Sequence, residues 1–410
     1  MRNTGFYVFL GTVLFLYGLT NTYIILRGTQ ALPRGPWRTA FLVLMIFLVT
    51  AYPLARLGNS LLPDALARAL HVAGAYYLAV MVFSFFLILA IDLFRLLNLA
   101  VHVLPSGDAP AAQELKLAAF GAVAAISLTL TAAGAWNARH PVVKRLQVRL
   151  EKPSERPHRI RAVLLSDLHL GTLVDRPRLA FIVTRVNSLR PDLILLAGDV
   201  FDEDISALQE QDMAGELARL RAPLGVFAVP GNHEYYSGIG RAVSYLRQAG
   251  ITVLRDSAVL VDSSFYVVGR DDRTVEQFGG RRKALPELLT DTDGRLPVIL
   301  MDHQPFHLEE AQQAGVDLQV SGHTHHGQLV PFNWITAAVY EVSWGYLRKG
   351  RAHYYVSCGV GTWGPPVRIG SRPEIVQIDL RWGPQKRGEE ATAKAKAAGQ
   401  PARISPPENL

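Results

Sequence analysis

A single cysteine, Cys358, stands in 410 residues, so no disulfide can form within the chain. That fits a reducing compartment and leaves Cys358 as a small buried apolar residue. Charge is scarce as well, at 19% of residues against 49% hydrophobic, and unevenly so: almost all the apolar excess lies before Trp136, and the charged motifs lie after it. A chain of this length is expected to form two or more units, each burying its own core. The formal net charge of +7 comes from basic residues spread through loops and a juxtamembrane run. They lack the aromatic interleaving of a nucleic-acid groove, and nucleic acid is not expected as a partner. No twin-arginine pair precedes the first apolar run, because Arg2 is followed by Asn3 and Thr4. That run is also long for a cleaved leader and has three successors, so a signal peptide is discounted.

What is present begins with those four runs, residues 6–26, 39–57, 72–91 and 117–136. Each has roughly the 20 residues a helix needs to cross a hydrocarbon core. Tyr7, Trp37, Tyr52 and Trp136 sit near their ends, where amphipathic rings favour the interface. The expectation is a transmembrane bundle of four spans over residues 1–138 in a bacterial inner membrane, with the lipid bilayer as partner. Four spans leave both termini on one side. Arg56, Arg68, Arg139, Lys144, Arg145, Arg149, Lys152 and Arg156 against Arg27, Arg34, Arg38, Arg95 and Lys116 place that side, and the second half, in the cytoplasm. Asp92 and Arg95, at helical i,i+3 spacing where the third run ends, read as an interfacial pair.

Residues 139–158 form a basic connector in which 142–150 alternates like a strand, and the Ala-, Lys- and Pro-rich tail, 383–410, is expected to be disordered. Between them, over 159–382, short apolar runs alternate with amphipathic segments, the pattern of α/β architecture. Residues 160–166, 192–197, 224–229, 297–301 and 317–321 read as buried strands; 178–189, 205–220, 239–249 and 306–314 read as helices. Each strand delivers a polar cluster at its C-terminal end, where catalytic groups collect in such sheets.

Five clusters carry chemistry: S-D-L-H-L-G at 166–171, G-D-V-F-D at 198–202, G-N-H-E at 231–234, D-H-Q-P at 302–305 and G-H-T-H-H-G-Q at 322–328. Asp167 and His169, like His323 and His325, are two residues apart. On an extended strand end each pair would project to one side and grip one metal site. Imidazoles with carboxylates suit divalent manganese, iron or zinc rather than an all-oxygen calcium cage. Asp167 and Asp199 cancel only part of the charge of two such ions. The remainder would attract phosphate and lower the pKa of a bound water. Singly, each cluster is a turn or a helix cap; together, in this order, they mark a site.

On these motifs the region from about 159 to 380 resembles the calcineurin-like metallophosphoesterase superfamily, with its D-x-H, G-D, G-N-H-E, lone H and G-H-x-H. The resemblance implies an α/β sandwich of two central sheets flanked by helices. It implies Asp167, His169 and His325 as ligands of one metal and Asn232, His303 and His323 as ligands of the other, with Asp199 bridging and catalytic, and His233 as the catalytic acid. Glu203 and Asp204 stand where protein phosphatases of the superfamily have Arg-Gly, against a phosphoprotein substrate. The 322–328 stretch, with G-V-G-T at 359–362 and R-P-E-I at 372–375, is similar to the bacterial YkuE-like branch, which includes a UDP-2,3-diacylglucosamine pyrophosphatase. His326 replaces the usual glycine of that branch. With the membrane half, the expectation is a phosphohydrolase acting on a lipid-linked envelope precursor, using manganese. Two other readings stay open: a soluble phosphoester as substrate, or a membrane scaffold without catalysis.

Overall fold

The structure is a computed structural model that describes residues 2–58, 61–103, 105, 110–154, 158–202 and 205–384. Arg156, Glu203, Asp204 and most of the tail expected to be disordered lie outside them. Four helices come first: α1 (Arg2–Ala31), α2 (Pro36–Leu57), α3 (Asp64–Val101) and α4 (Pro110–Ala138). Each runs past the apolar stretch that announced it. Pro36 sits in the first turn of α2, where its missing N–H costs nothing. Close contacts bind the bundle: a Cβ on Gly74 of α3 would meet the Tyr52 nitrogen of α2 at 2.5 Å, and Ser84 and Ser127 join α3 to α4 at 3.0 Å. At the far end Asp92 takes Arg27 at 2.8 Å and Arg95 at 3.5 Å, so the expected pair is a three-way cluster.

Among the described residues three helices, α2 as far as Arg56, α3 and α4, are long and apolar enough to cross a membrane; α1 is a continuous helix of 30 residues. Their outward faces leave Val43, Ile46, Leu93, Leu96, Leu97 and Leu128 exposed. An apolar surface of that extent belongs in lipid.

After the bundle, the chain alternates strands and helices. In order they are β1 (Val142–Arg149), β2 (His158–Leu165), α5 (Arg176–Ser188), β3 (Leu193–Ala197), α6 (Ile205–Glu210), α7 (Met213–Leu217), β4 (Val226–Val229), α8 (Asn232–Tyr236) and α9 (Ile239–Gln248). Next come β5 (Thr252–Val253), β6 (Ser257–Val261), β7 (Phe265–Gly269), α10 (Leu285–Leu288), β8 (Val298–Met301), α11 (Leu308–Gln313) and β9 (Leu318–Ser321). The last are α12 (Phe332–Val339), β10 (Gly345–Lys349), β11 (Ala352–Val356) and β12 (Glu374–Trp382).

These strands form two six-stranded mixed sheets, in the orders β1-β12-β2-β3-β4-β5 and β10-β11-β9-β8-β7-β6. Alternation along β2 shows why they face each other: Ala162 and Leu164 pack toward the second sheet, Val163 and Leu165 toward the helices. The helix expected over 205–220 is two, broken where Asp212 takes a left-handed φ of 47°. Strand β12, second from the edge, runs parallel to β1 and antiparallel to β2.

The bundle is fastened to the sandwich. Arg368 N donates to Gly134 O at 3.0 Å, and Asn137 Nδ2 donates to the carbonyls of Arg368 and Ser371 at 2.9 Å. Beside them Ala79 and Phe83 of α3 form one apolar cluster with Leu329 and Val367.

Candidate metal centre

Strands β2, β3 and β4 of one sheet and β8 and β9 of the other end along a single edge of the sandwich, each running into one of the five polar clusters. The chain there is not extended. Asp167, His169, Asp199, His323 and His325 all take left-handed backbone, with φ from 48° to 72°, a strained conformation for residues with side chains. This corrects the expectation that each i,i+2 pair grips one site. Asp167 and His169 do converge, but with His325; His323 turns instead to Asp199 and His303. Within each of these two groups the ligand atoms lie within 4.8 Å of one another. Asp199 Oδ2 stands between the groups, 3.8 Å from His169 Nε2 and 3.1 Å from His303 Nε2. Asn232 Oδ1 completes the second, 2.9 Å from His323 Nδ1 and 3.3 Å from His303 Nε2.

The donors fit a cation. His303 Nδ1 is 2.8 Å from the Ala197 carbonyl, which can only accept, so Nδ1 carries the hydrogen of the neutral ring. Nε2 then aims a lone pair at two oxygens that are themselves acceptors. Such a cluster of buried acceptors needs a shared proton or a metal. Among the protein's own groups the proton wins: burial lowers the His303 pKa, but the Asp199 carboxylate overrides it and holds the ring well above the usual histidine range. Burial likewise works to raise Asp199, and His303 brings it well below the ordinary carboxylate value. Burial and the neighbouring His303 push His323 down to about 4. His325 is also driven well below its ordinary value, by burial and then by His169. Its Nε2 lies 3.0 Å from His169 Nε2 and its Nδ1 3.1 Å from the Arg368 guanidinium. Because Arg368 can only donate, the neutral His325 ring carries hydrogen on Nε2, and a cation there requires that contact to open.

His233, the expected acid, sits in the first turn of α8 with its backbone N–H on Asp199 Oδ1 at 2.9 Å. Its ring stands edge-on to His169, with centroids 4.6 Å apart. Four residues that motif reading left without a role complete the surroundings. Asp202 Oδ1 is 3.3 Å from both His169 Nδ1 and His233 Nδ1, and Oδ2 is 3.4 Å from Arg56 in the last turn of α2. Glu234 accepts the N–H groups of Asp199, Phe201 and Gly231 at 3.0, 3.0 and 2.7 Å; burial, then the Asp199 charge, raise its pKa to about 7. Arg368, wholly buried, donates to the carbonyls of Cys358 and Gly361 at 2.7 and 2.8 Å. These clamp the 358–361 turn over Asp167, whose Cβ lies 2.8 Å from where a Gly359 Cβ would be. Asp202 had a signal, a second acid one turn past Asp199. Arg56 and Arg368 had none, being far away in sequence. His326 turns aside, to Ser343 Oγ at 3.0 Å and the Trp344 ring.

Comparison with known proteins gives this geometry a context. Residues 160–327 match the family described as calcineurin-like phosphoesterase. An uncharacterized metallophosphoesterase of Aquifex aeolicus is 36% identical over 225 residues, 54% of this chain and 85% of that protein. A transmembrane protein with metallophosphoesterase domain from Danio rerio is 30% identical over 370 residues, 87% of this chain and 84% of that one, so the likeness extends into the helical half. The uncharacterized metallophosphoesterase YkuE of Bacillus subtilis is 32% identical over 279 residues, 64% of this chain and 94% of its own length.

Proposed function

Since the chain belongs to the calcineurin-like phosphoesterase family and is a metal-dependent phosphoester hydrolase, we propose that it cleaves a phosphodiester or pyrophosphate bond in a lipid-linked envelope precursor at a bacterial inner membrane. In this reading α1 is a fourth span, residues 1–138 are the membrane unit, and the catalytic unit, 159–382, faces the cytoplasm. The observation that carries the reading is the contact between Arg56 of α2 and Asp202, which also meets His169 and His233. An anchor alone has no need to reach the centre of a site, and an enzyme held in the plane of its substrate gains effective concentration.

Asp167, His169 and His325 would hold one divalent cation, Asn232, His303 and His323 the other, and Asp199 both; manganese is the first choice, with iron or zinc as alternatives. When bound, the pair supplies positive charge against a phosphoryl group and makes nearby water more acidic. The remaining work belongs to the protein. Asp202 Oδ1 stands 3.3 Å from His233 Nδ1, and its charge on that side of the ring favours the protonated form whose Nε2 would deliver a proton to the leaving oxygen. Burial lowers the His233 pKa while the Asp199 charge opposes it, so the protonated ring gives up its proton more readily than a free imidazole. Glu234 ties the turn at Asp199 to the start of α8, keeping acid and bridging carboxylate in register.

The test is manganese-dependent hydrolysis by the full chain in detergent, comparing bis-p-nitrophenyl phosphate with UDP-2,3-diacylglucosamine, with Asp199→Ala as control. Turnover of the lipid that is lost in the control is the expected result. Turnover of the soluble diester alone sinks the lipid reading and keeps the enzyme. No Asp199-dependent turnover of either substrate favours a scaffold.

A further inference from the structure

Between the ligand turn at His323–Gly327 and the first strand of the second sheet, the chain makes a short helix that the reaction does not use. Helix α12, Phe332–Val339, holds no charged residue and none that is buried. Trp334, Ile335 and Val339 are 70%, 57% and 58% exposed. In a water-facing loop that surface would be a liability, because soluble proteins seldom leave bulky apolar residues together without a partner.

The surroundings of α12 say what covers it. Phe332, at its first turn, packs edge-on against Phe86 of α3, with ring centroids 6.2 Å apart, and joins the apolar cluster of Ala79, Phe83, Leu329 and Val367. Helix α12 thus stands against the helical bundle, on whose surface Leu128 of α4 is also exposed. Trp363 and Trp344 stand exposed in neighbouring loops of the same half, 55% and 38%, and tryptophan is a residue of the membrane–water interface. Apolar residues on a short helix beside a spanning bundle lie in the plane of the interface.

We propose that α12 is a membrane-contact element, seated among the lipid headgroups and upper acyl chains, that sets the metal centre at the bilayer surface. The coupling to the site is direct at both ends. Where α12 begins, a Cβ on Gly327 would meet Asn333 N and Phe332 C at 2.3 Å, so the ligand turn rests on the helix backbone itself. Where it ends, the Tyr340 ring lies 6.2 Å from that of His323. A phosphorylated headgroup therefore enters from the lipid side with its chains still in the bilayer. This deepens the lipid-linked reading above and rests on the bundle being membrane-embedded.

The experiment puts a fluorophore on Val339→Cys in the full chain, reconstituted in phosphatidylcholine–phosphatidylglycerol vesicles that carry nitroxide-labelled lipid. Native Cys358 is buried and does not compete for label. Leu128→Cys on α4 is the lipid reference and Asp291→Cys, exposed after α10, the water reference; Ile335→Cys repeats the measurement should Val339→Cys not fold. The expected result is lipid quenching at 339 comparable to that at 128 and several-fold above that at 291. Quenching at 128 with 339 behaving like 291 overturns the proposal while leaving the bundle in the membrane. A label at 339 shielded from both lipid nitroxide and aqueous iodide means that protein, such as a second copy, covers α12, and also overturns it. Absence of quenching at 128 removes the membrane reading and the proposal with it.

Discussion

At the scale of single residues, the centre is a set of acceptors that choose between a proton and a metal. His303 shows it best, with its Nδ1 committed to Ala197 and its Nε2 facing Asp199 and Asn232. Its pKa is lowered by burial but raised well above the ordinary value in balance, through Asp199, so the ring keeps its proton to higher pH than a free imidazole. A cation takes the neutral ring, so binding must release that proton. The sign follows: affinity is weakest where His303 is fully protonated and rises as pH climbs through its elevated pKa, above the normal histidine range. Titration calorimetry with manganese in buffers of different ionisation enthalpy should give net proton release near pH 7, and none from an Asp199→Asn variant that still binds. Binding without proton release would show that His303 is neutral beforehand. Asp167, His169, Asp199, Asn232, His303, His323 and His325 stand out in the sequence because the motif types recur in one order, and the fold brings them together at one edge of the sandwich. Their pairing was not legible from spacing, since left-handed turns replace the extended strand ends that an i,i+2 rule assumes.

At the scale of elements, helix α4 serves the site as well as the bundle. Gly134 lets it approach the 365–371 segment so closely that an added Cβ would meet Val367 Cγ1 at 2.5 Å and Ile369 Cγ1 at 3.0 Å. The segment it touches carries Arg368, which clamps the turn over Asp167 and reaches His325. Gly134→Val should therefore cost about 2 kcal/mol, the usual size of an overpacking penalty, and lower metal content, read by thermal unfolding in detergent and by elemental analysis. Gly121→Val is the control: on the same helix, a Cβ there meets nothing within 4 Å. Equal losses in both variants would mean that the penalty reflects valine in a helix and not the seam. Buried strands β2, β3, β4, β8 and β9 were legible as apolar runs. Strand β12 was not singled out, although its alternating Gln377 and Asp379 follow a strand period, and α12 was not singled out either.

At the scale of the whole molecule, the two halves meet at a charge. Burial works to raise the Asp202 pKa; the nearby His169 ring, with smaller help from His233 and Arg56, brings it below the usual carboxylate value. Removing Arg56 takes away one of the groups that favour the carboxylate. Asp202 then protonates at higher pH, and the acid limb of the hydrolysis profile should move toward neutrality in Arg56→Ala and stay in place in Arg56→Lys. A pH–rate profile on bis-p-nitrophenyl phosphate decides it; coincident limbs would mean that the contact is structural only. Because Arg56 is partly exposed, solvent screens the pair and the shift should be modest.

Composition and periodicity by themselves determined that an apolar helical half precedes an α/β half, and that strand ends in the second half carry imidazoles and carboxylates suited to divalent metals. Those properties are local: a run of apolar residues, or a histidine after a strand, means much the same wherever the chain goes. Spacing did not decide which histidines stand together, a grouping that only the family resemblance implied; which arginine reaches behind His325, and that Arg56 of α2 meets Asp202, were decided by tertiary structure alone. Each depends on where two distant segments come to rest, and that position is set by close packing at glycines such as Gly134 and Gly327, whose role is to be small where two backbones meet.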